Sequence, residues 1–216
     1  MESSQATKQR VLASVRSAPS PTRSGQGRKT AMLFVISAGI AGVVLECLGG
    51  FARGAWRPWQ TTAELAGGWA VACVPLSVAV LWRPRAVLPR KPWLMFALAV
   101  GTPIGLFAWM QLFAGTYVEP FVRVGWRCMG FTLAAAIVPL SALVLMGRGI
   151  EPRRPMALGA AIGAICGAWA SVAVAAWCPL TNAMHVLVGH VAPLVVLGLL
   201  GGGLGRSVLG MRRKDG

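Results

Sequence analysis

Both histidines of the chain, His185 and His190, fall within residues 177–190, together with Cys178. Imidazole and thiol groups bind borderline and soft metals, move protons near neutral pH and change oxidation state. Spacing limits what they can do. Residues five apart on a regular α-helix point about 140° away from each other. A two-histidine clamp of the HExxH kind is therefore not expected. His190 becomes a single imidazole facing a bundle interior or a water cavity. One reading makes it a satisfied structural histidine, the other a pH sensor or metal ligand. The five cysteines include no CxxC pair, which fits neither a zinc knuckle nor a disulfide scaffold. Glu46 lies inside an apolar run. It either reaches headgroups or Arg53, or serves a proton or cation. Gln111 reads as a helix–helix hydrogen-bonding residue. The sequence holds no glycine-rich phosphate loop, nucleophile elbow or paired carboxylates. The reading is a non-enzyme with no assigned metal or cofactor.

Hydrophobic segments must position these groups. The chain has 216 residues, 56% hydrophobic and 12% charged, with mean hydropathy +0.64. A soluble domain is about 45–50% apolar and about 25% charged. The excess divides into apolar runs at about 30–50, 64–82, 92–115, 127–147, 155–177 and 184–205. Each is close to or above the length that crosses a ~30 Å hydrocarbon layer at ~1.5 Å per residue. In lipid their backbones must be helical. The expected fold is an all-α integral membrane protein with six transmembrane helices in one bundle. A basic tail of residues 1–29 precedes it and a basic tail of residues 206–216 follows.

The net charge of +15 is distributed by topology rather than gathered into a nucleic-acid face. Seventeen Lys and Arg residues fall in the two tails and in the loops after the second and fourth spans. Four (Arg53, Arg57, Arg123 and Arg127) fall on the other side. The positive-inside rule then puts both termini in the cytoplasm of a multi-pass inner-membrane protein. Trp56, Trp59, Trp82, Trp93, Trp126 and Trp177 lie near span ends, where interfacial aromatics belong. On this topology Cys47, Cys128 and Cys178 are at outer depth, with Cys73 and Cys166 in mid-membrane as packing residues. Equal depth allows Cys128 and Cys178 a disulfide or a shared metal, without making them neighbours.

The first apolar run is too long for a cleaved signal peptide, and Glu46 before Cys47 spoils a lipoprotein site. Within the first tail, Val11, Leu12 and Val15 share a helical face ringed by Lys8, Arg10 and Arg16, ended by Pro19 and Pro21. Such a segment is either a basic tail on anionic lipid or a helix that forms on a partner. Gly159, Gly163 and Gly167 repeat every fourth residue, and Gly198, Gly201, Gly202 and Gly205 continue the pattern. Small residues on one face let helices approach closely, within the chain or across a homo-oligomer.

These features carry a resemblance. Residues 10–16 with Pro19-Ser20-Pro21, Cys128 after Trp126-Arg127, and residues 159–179 followed by His190 and a glycine-rich last span resemble the NrsF-type six-span membrane anti-sigma factors, CarR-like regulators included. The resemblance implies a negative regulator of transcription that holds an extracytoplasmic-function sigma factor at the inner membrane. An envelope, oxidative or light-related stress signal would release it. Arg10, Val11, Leu12, Val15 and Arg16 would bind the partner, and Cys128 and Cys178 would sense redox state. His190 and Glu46 would serve in signalling or structure. The protein would touch lipid and a sigma factor, not nucleic acid directly. The alternatives are a small membrane transporter or channel subunit using Glu46, Gln111 and His190, and a haem or quinone protein using His185 and His190.

Overall fold

The computed structural model describes residues 57–81, 92–119, 122–146 and 154–209, with isolated helical positions earlier in the chain. The chain divides into two compact units, Met1–Leu33 and Phe34–Gly216. In the first, Gln9, Ala13 and Met32 are the described residues; all three are helical and exposed. The sequence-predicted partner-binding residues Arg10, Val11, Leu12, Val15 and Arg16 lie outside the described residues, as do Glu46 and most of the first predicted span.

The second unit is helical, with no strand among its described residues. Five helices there are long and apolar enough to cross a membrane: α1 (Trp59–Leu81), α2 (Pro92–Gln111), α3 (Trp126–Met146), α4 (Pro155–Trp177) and α5 (Ala183–Leu209). They correspond to the second through sixth predicted spans. Pro58 caps the start of α1, five residues before the expected boundary. α2 ends at Gln111 rather than near 115, because residues 112–116 turn and Gly115 adopts φ 77°. α5 runs on through Arg206 to Leu209.

α4 is the centre of the bundle and packs against each of the other four helices. Its composition explains this. A helix of Ala, Gly and small β-branched residues has a narrow profile that lets four neighbours close around it. Between α4 and α5 the backbones nearly touch. A Cβ built on Gly163 would lie 2.0 Å from the Leu197 carbonyl oxygen, and one on Gly201 would lie 2.3 Å from the Gly159 carbonyl oxygen. The glycine repeat therefore packs helices within the chain. Indole N–H groups tie α4 to α1: Trp69 Nε1 donates to Ala168 O at 3.2 Å and to Ser171 Oγ at 3.1 Å, and Trp169 Nε1 donates to Ser77 Oγ at 2.8 Å. Trp59, Trp93 and Trp126 are exposed at or next to helix starts. Trp177 closes α4 where the sequence puts it, but is half-buried and packs edge-on against Phe131 at 5.4 Å.

Candidate functional site

Where α2 and α4 end and α3 and α5 begin, the connections are stitched into one layer. Residues 112–119 reach across to the turn 178–182. Tyr117 Oη donates to Pro179 O at 2.7 Å. The Glu119 carboxylate accepts from Thr181 N at 2.6 Å, Thr181 Oγ1 at 2.9 Å and Asn182 Nδ2 at 2.9 Å. Burial pushes the Glu119 carboxyl up, but the hydrogen bonds from Asn182 and Thr181 outweigh it and hold it below the usual range. Arg57, almost fully buried, donates through Nη2 to Ala175 O at 2.6 Å and lies over the Tyr117 ring at 5.9 Å. Gln111 donates to Thr181 O at 3.2 Å, so its amide serves this turn rather than a neighbouring helix.

Beneath this layer, four side chains converge. Cys128 comes from the first turn of α3, Cys178 from just past the end of α4, and His185 and His190 from α5. All four are buried, and one donor atom from each falls within 4.8 Å of the others. Cys178 Sγ lies 3.1 Å from His185 Nε2. His185 Nδ1 lies 2.8 Å from Arg123 O. A carbonyl only accepts, so Nδ1 carries a proton there and Nε2 is the ring atom turned to Cys178. A hydrogen bond from Cys128, with one from His185 adding to it, holds the Cys178 thiol well below the ordinary thiol range against the cost of burial. Both ring nitrogens of His190 are buried without a hydrogen-bond partner.

The local backbone explains how two histidines five residues apart meet. Asn182 caps the start of α5, its side chain accepting from His185 N at 3.0 Å. Residues Leu187–Val191 then form a π turn. Its i→i+5 bonding takes in one extra residue per turn, so residues five apart return to one face. The His185 and His190 ring centroids are 5.6 Å apart. The expectation of opposite faces is corrected here, since it assumed a regular α-helix. Two glycines admit α3 to this turn. Gly125 adopts φ 93°, and a Cβ there would lie 2.8 Å from His185 O and 2.9 Å from Gly189 N. A Cβ on Gly189 would meet the Cys128 Cβ at 3.1 Å.

The structure thus brings together Cys128, Cys178 and His190 of the sequence-predicted residues and adds His185. It keeps Cys73 and Cys166 buried apart from them, in the hydrophobic packing between the helices. Sequence reasoning missed the supporting residues Glu119, Asn182 and Tyr117. Asn182 was findable, as an N-cap residue three positions before His185. A pocket of about 290 Å³ opens onto the cluster, its wall including Gly125, Arg127, Cys128, Trp177, Cys178 and His185. Chemically, the two thiols can exchange with disulfides or oxidise to one, and the four donors form a Cys₂His₂ set of the type that holds zinc.

The model of the NrsF family, described as negative regulator of sigma F, matches residues 12–210. No curated protein and no solved structure matches the chain.

Proposed function

Since the chain belongs to the NrsF family of negative regulators of sigma F, we propose that it is a membrane-bound anti-sigma factor that holds an extracytoplasmic-function sigma factor at the inner membrane. In this reading a sixth span at residues 30–50 precedes α1, and both termini are cytoplasmic. Lys and Arg asymmetry supports that orientation, with seventeen on the tail side against four on the other. The cytoplasmic segment 1–29 docks on the sigma factor through Arg10, Val11, Leu12, Val15 and Arg16, folding as it binds. The observation that carries the sigma-factor partner is the family match over residues 12–210.

Release requires a signal that changes the relative stability of two bundle states. Cys128 and Cys178 are the signal-receiving pair in this reading. They belong to α3 and to the end of α4, and α4 contacts every other described helix. An oxidant that accepts two electrons would convert two thiols to one S–S bond with loss of two protons. The bond would draw the start of α3 onto the end of α4 and load the central helix. Oxidative stress is thus the stimulus this geometry supports best.

Two measurements test the proposal. Tagged full-length protein, extracted from its own host's membranes, should co-purify with a sigma factor, and deleting residues 7–16 should abolish that and raise target transcription. Unchanged transcription would sink the docking assignment. Cys128→Ser and Cys178→Ser should each blunt release by oxidant, and a wild-type response in both would sink the sensing assignment.

A further inference from the structure

We propose that Cys128, Cys178, His185 and His190 bind a single zinc ion. The inference rests on, and deepens, the reading of Cys128 and Cys178 as the signal-receiving pair: it names what occupies the site when the thiols are reduced.

Four observations carry it. The donor set is complete in number and type, two sulfurs and two imidazole nitrogens within 4.8 Å of one another. A tetrahedral zinc, with Zn–S about 2.3 Å and Zn–N about 2.0–2.1 Å, sets its donors roughly 3.3–3.8 Å apart. The widest pairs therefore need to close by up to about 1 Å and the 3.1 Å Cys178–His185 pair to open slightly, both within reach of side-chain rotation. Second, His190 is fully buried with both ring nitrogens unpartnered. A buried polar group without a partner is costly and calls for a ligand or another explanation. A π turn in α5, an uncommon backbone feature frequent at functional sites, directs that ring to the cluster. Third, His185 carries the outer support expected of a metal ligand. Its Nδ1–H is held by Arg123 O, which fixes the tautomer and turns Nε2 toward Cys178. Fourth, the pocket beside Cys128, Cys178 and His185 supplies an entry path.

Charge selects the ion. Zinc binding forms two Zn–S and two Zn–N bonds, and any proton on either thiol leaves to solvent. Two thiolates, two neutral imidazoles and Zn²⁺ sum to zero, which suits a buried site where a net charge is costly. A hard cation such as Mg²⁺ or Ca²⁺ seeks oxygen donors, and the four converging groups offer none. A bound zinc would also mask both sulfurs, so metal occupancy and the Cys128–Cys178 disulfide exclude each other.

The test uses the full-length chain in lipid nanodiscs, reduced and stripped of metal with a chelator. Titration with Zn²⁺ should give one ion per chain. Co²⁺ in its place should show thiolate-to-cobalt charge-transfer absorption and the intense visible bands of a tetrahedral site. His190→Ala should weaken Zn²⁺ binding by about tenfold or more, since even residues that only support a ligand cost about 10–100-fold. His190→Gln, closer in volume, repeats the measurement if the alanine variant misfolds. Absence of the charge-transfer band in wild type, which needs no variant, overturns the proposal. So does wild-type Zn²⁺ affinity in a folded His190 variant, or a site that retains Cu⁺ but not Zn²⁺ and ignores His190. Sigma-factor co-purification from the same preparation is scored separately. Its failure would strike the anti-sigma reading while leaving the zinc result standing.

Discussion

Replacing Gly163 with alanine places one methyl group at the tightest point between α4 and α5. The new Cβ would lie 2.0 Å from the Leu197 carbonyl oxygen and 2.7 Å from its carbonyl carbon. Both atoms are main chain, so no change of rotamer makes room. Reaching an ordinary contact of 3.4 Å requires the helices to part by roughly 1.5 Å. The same movement opens the neighbouring contacts of Gly159 with Gly201 and of Gly205 with Pro155. Overpacking of this kind costs about 1–3 kcal/mol. Alanine also gains up to about 1 kcal/mol over glycine in a helix, so wild type is the wrong reference. Gly203→Ala is the right one: it lies in α5, is exposed, and its added Cβ meets nothing within 4 Å. The propensity gain is then common to both variants and the difference isolates the contact. Gly163→Ala should be less stable than Gly203→Ala by about 1–3 kcal/mol. The assay is reversible unfolding in mixed micelles of rising denaturing-detergent fraction, followed by tryptophan fluorescence. Trp69 and Trp169, buried or half-buried along α4, report separation of its neighbours. Two variants agreeing within about 0.5 kcal/mol, the size of an ordinary surface substitution, would refute the close backbone contact.

Three further outcomes are expected. Glu119 has a depressed carboxyl pKa, so its contribution is present at neutral pH and lost as pH falls through its folded value, below the ordinary glutamate value of about 4.3. Hydrogen-exchange protection across residues 112–119, corrected for intrinsic rates, should therefore fall as pH drops below the ordinary glutamate range, and Glu119→Gln should remove that dependence; an identical acid profile in the variant would show that another group governs it. Tyr117→Phe removes the donor to Pro179 O and should cost about 0.5–1.5 kcal/mol in the same unfolding assay, with no loss taken as evidence against the bond. Cys73 and Cys166 are buried, so maleimide labelling of the native protein should leave both unmodified until denaturing detergent is added, and rapid native labelling of either would contradict their burial.

The five long apolar helices were legible because each is a continuous apolar run ended by charge, proline or glycine. α4 begins and ends where the sequence places it, at Pro155 and Trp177. Pro155 suits a first helical turn, and Pro179 cannot continue the helix. The glycine repeat also spoke plainly, since a four-residue period marks one helix face. The cluster was half legible. Depth arguments placed Cys128 and Cys178 at one level, and no linear pattern could make them neighbours. The histidine pair was misplaced for a specific reason: a 100° step per residue holds for an α-helix, and α5 departs from it at Leu187–Val191. Nothing in the local residue types announces that departure. The hydrogen bonds of Tyr117 and Glu119 to the turn at 178–182 join residues some sixty positions apart, which composition and periodicity do not register.

The position of α4 has a consequence for biogenesis. Its most apolar window is 67% buried within the protein, against 28–39% for the other four helices. Three of its neighbours, α1, α2 and α3, are synthesised before it, and α5 alone comes after. A chain halted at residue 182 would hold α4 with its glycine face uncovered and with the cluster's two thiols, Cys128 and Cys178, but neither histidine. Arrival of α5 closes both deficits at once, because the same helix carries the matching glycines and both imidazoles. Completion of the bundle and completion of the four-donor cluster are therefore one event, and a truncated or misassembled chain cannot present a finished cluster.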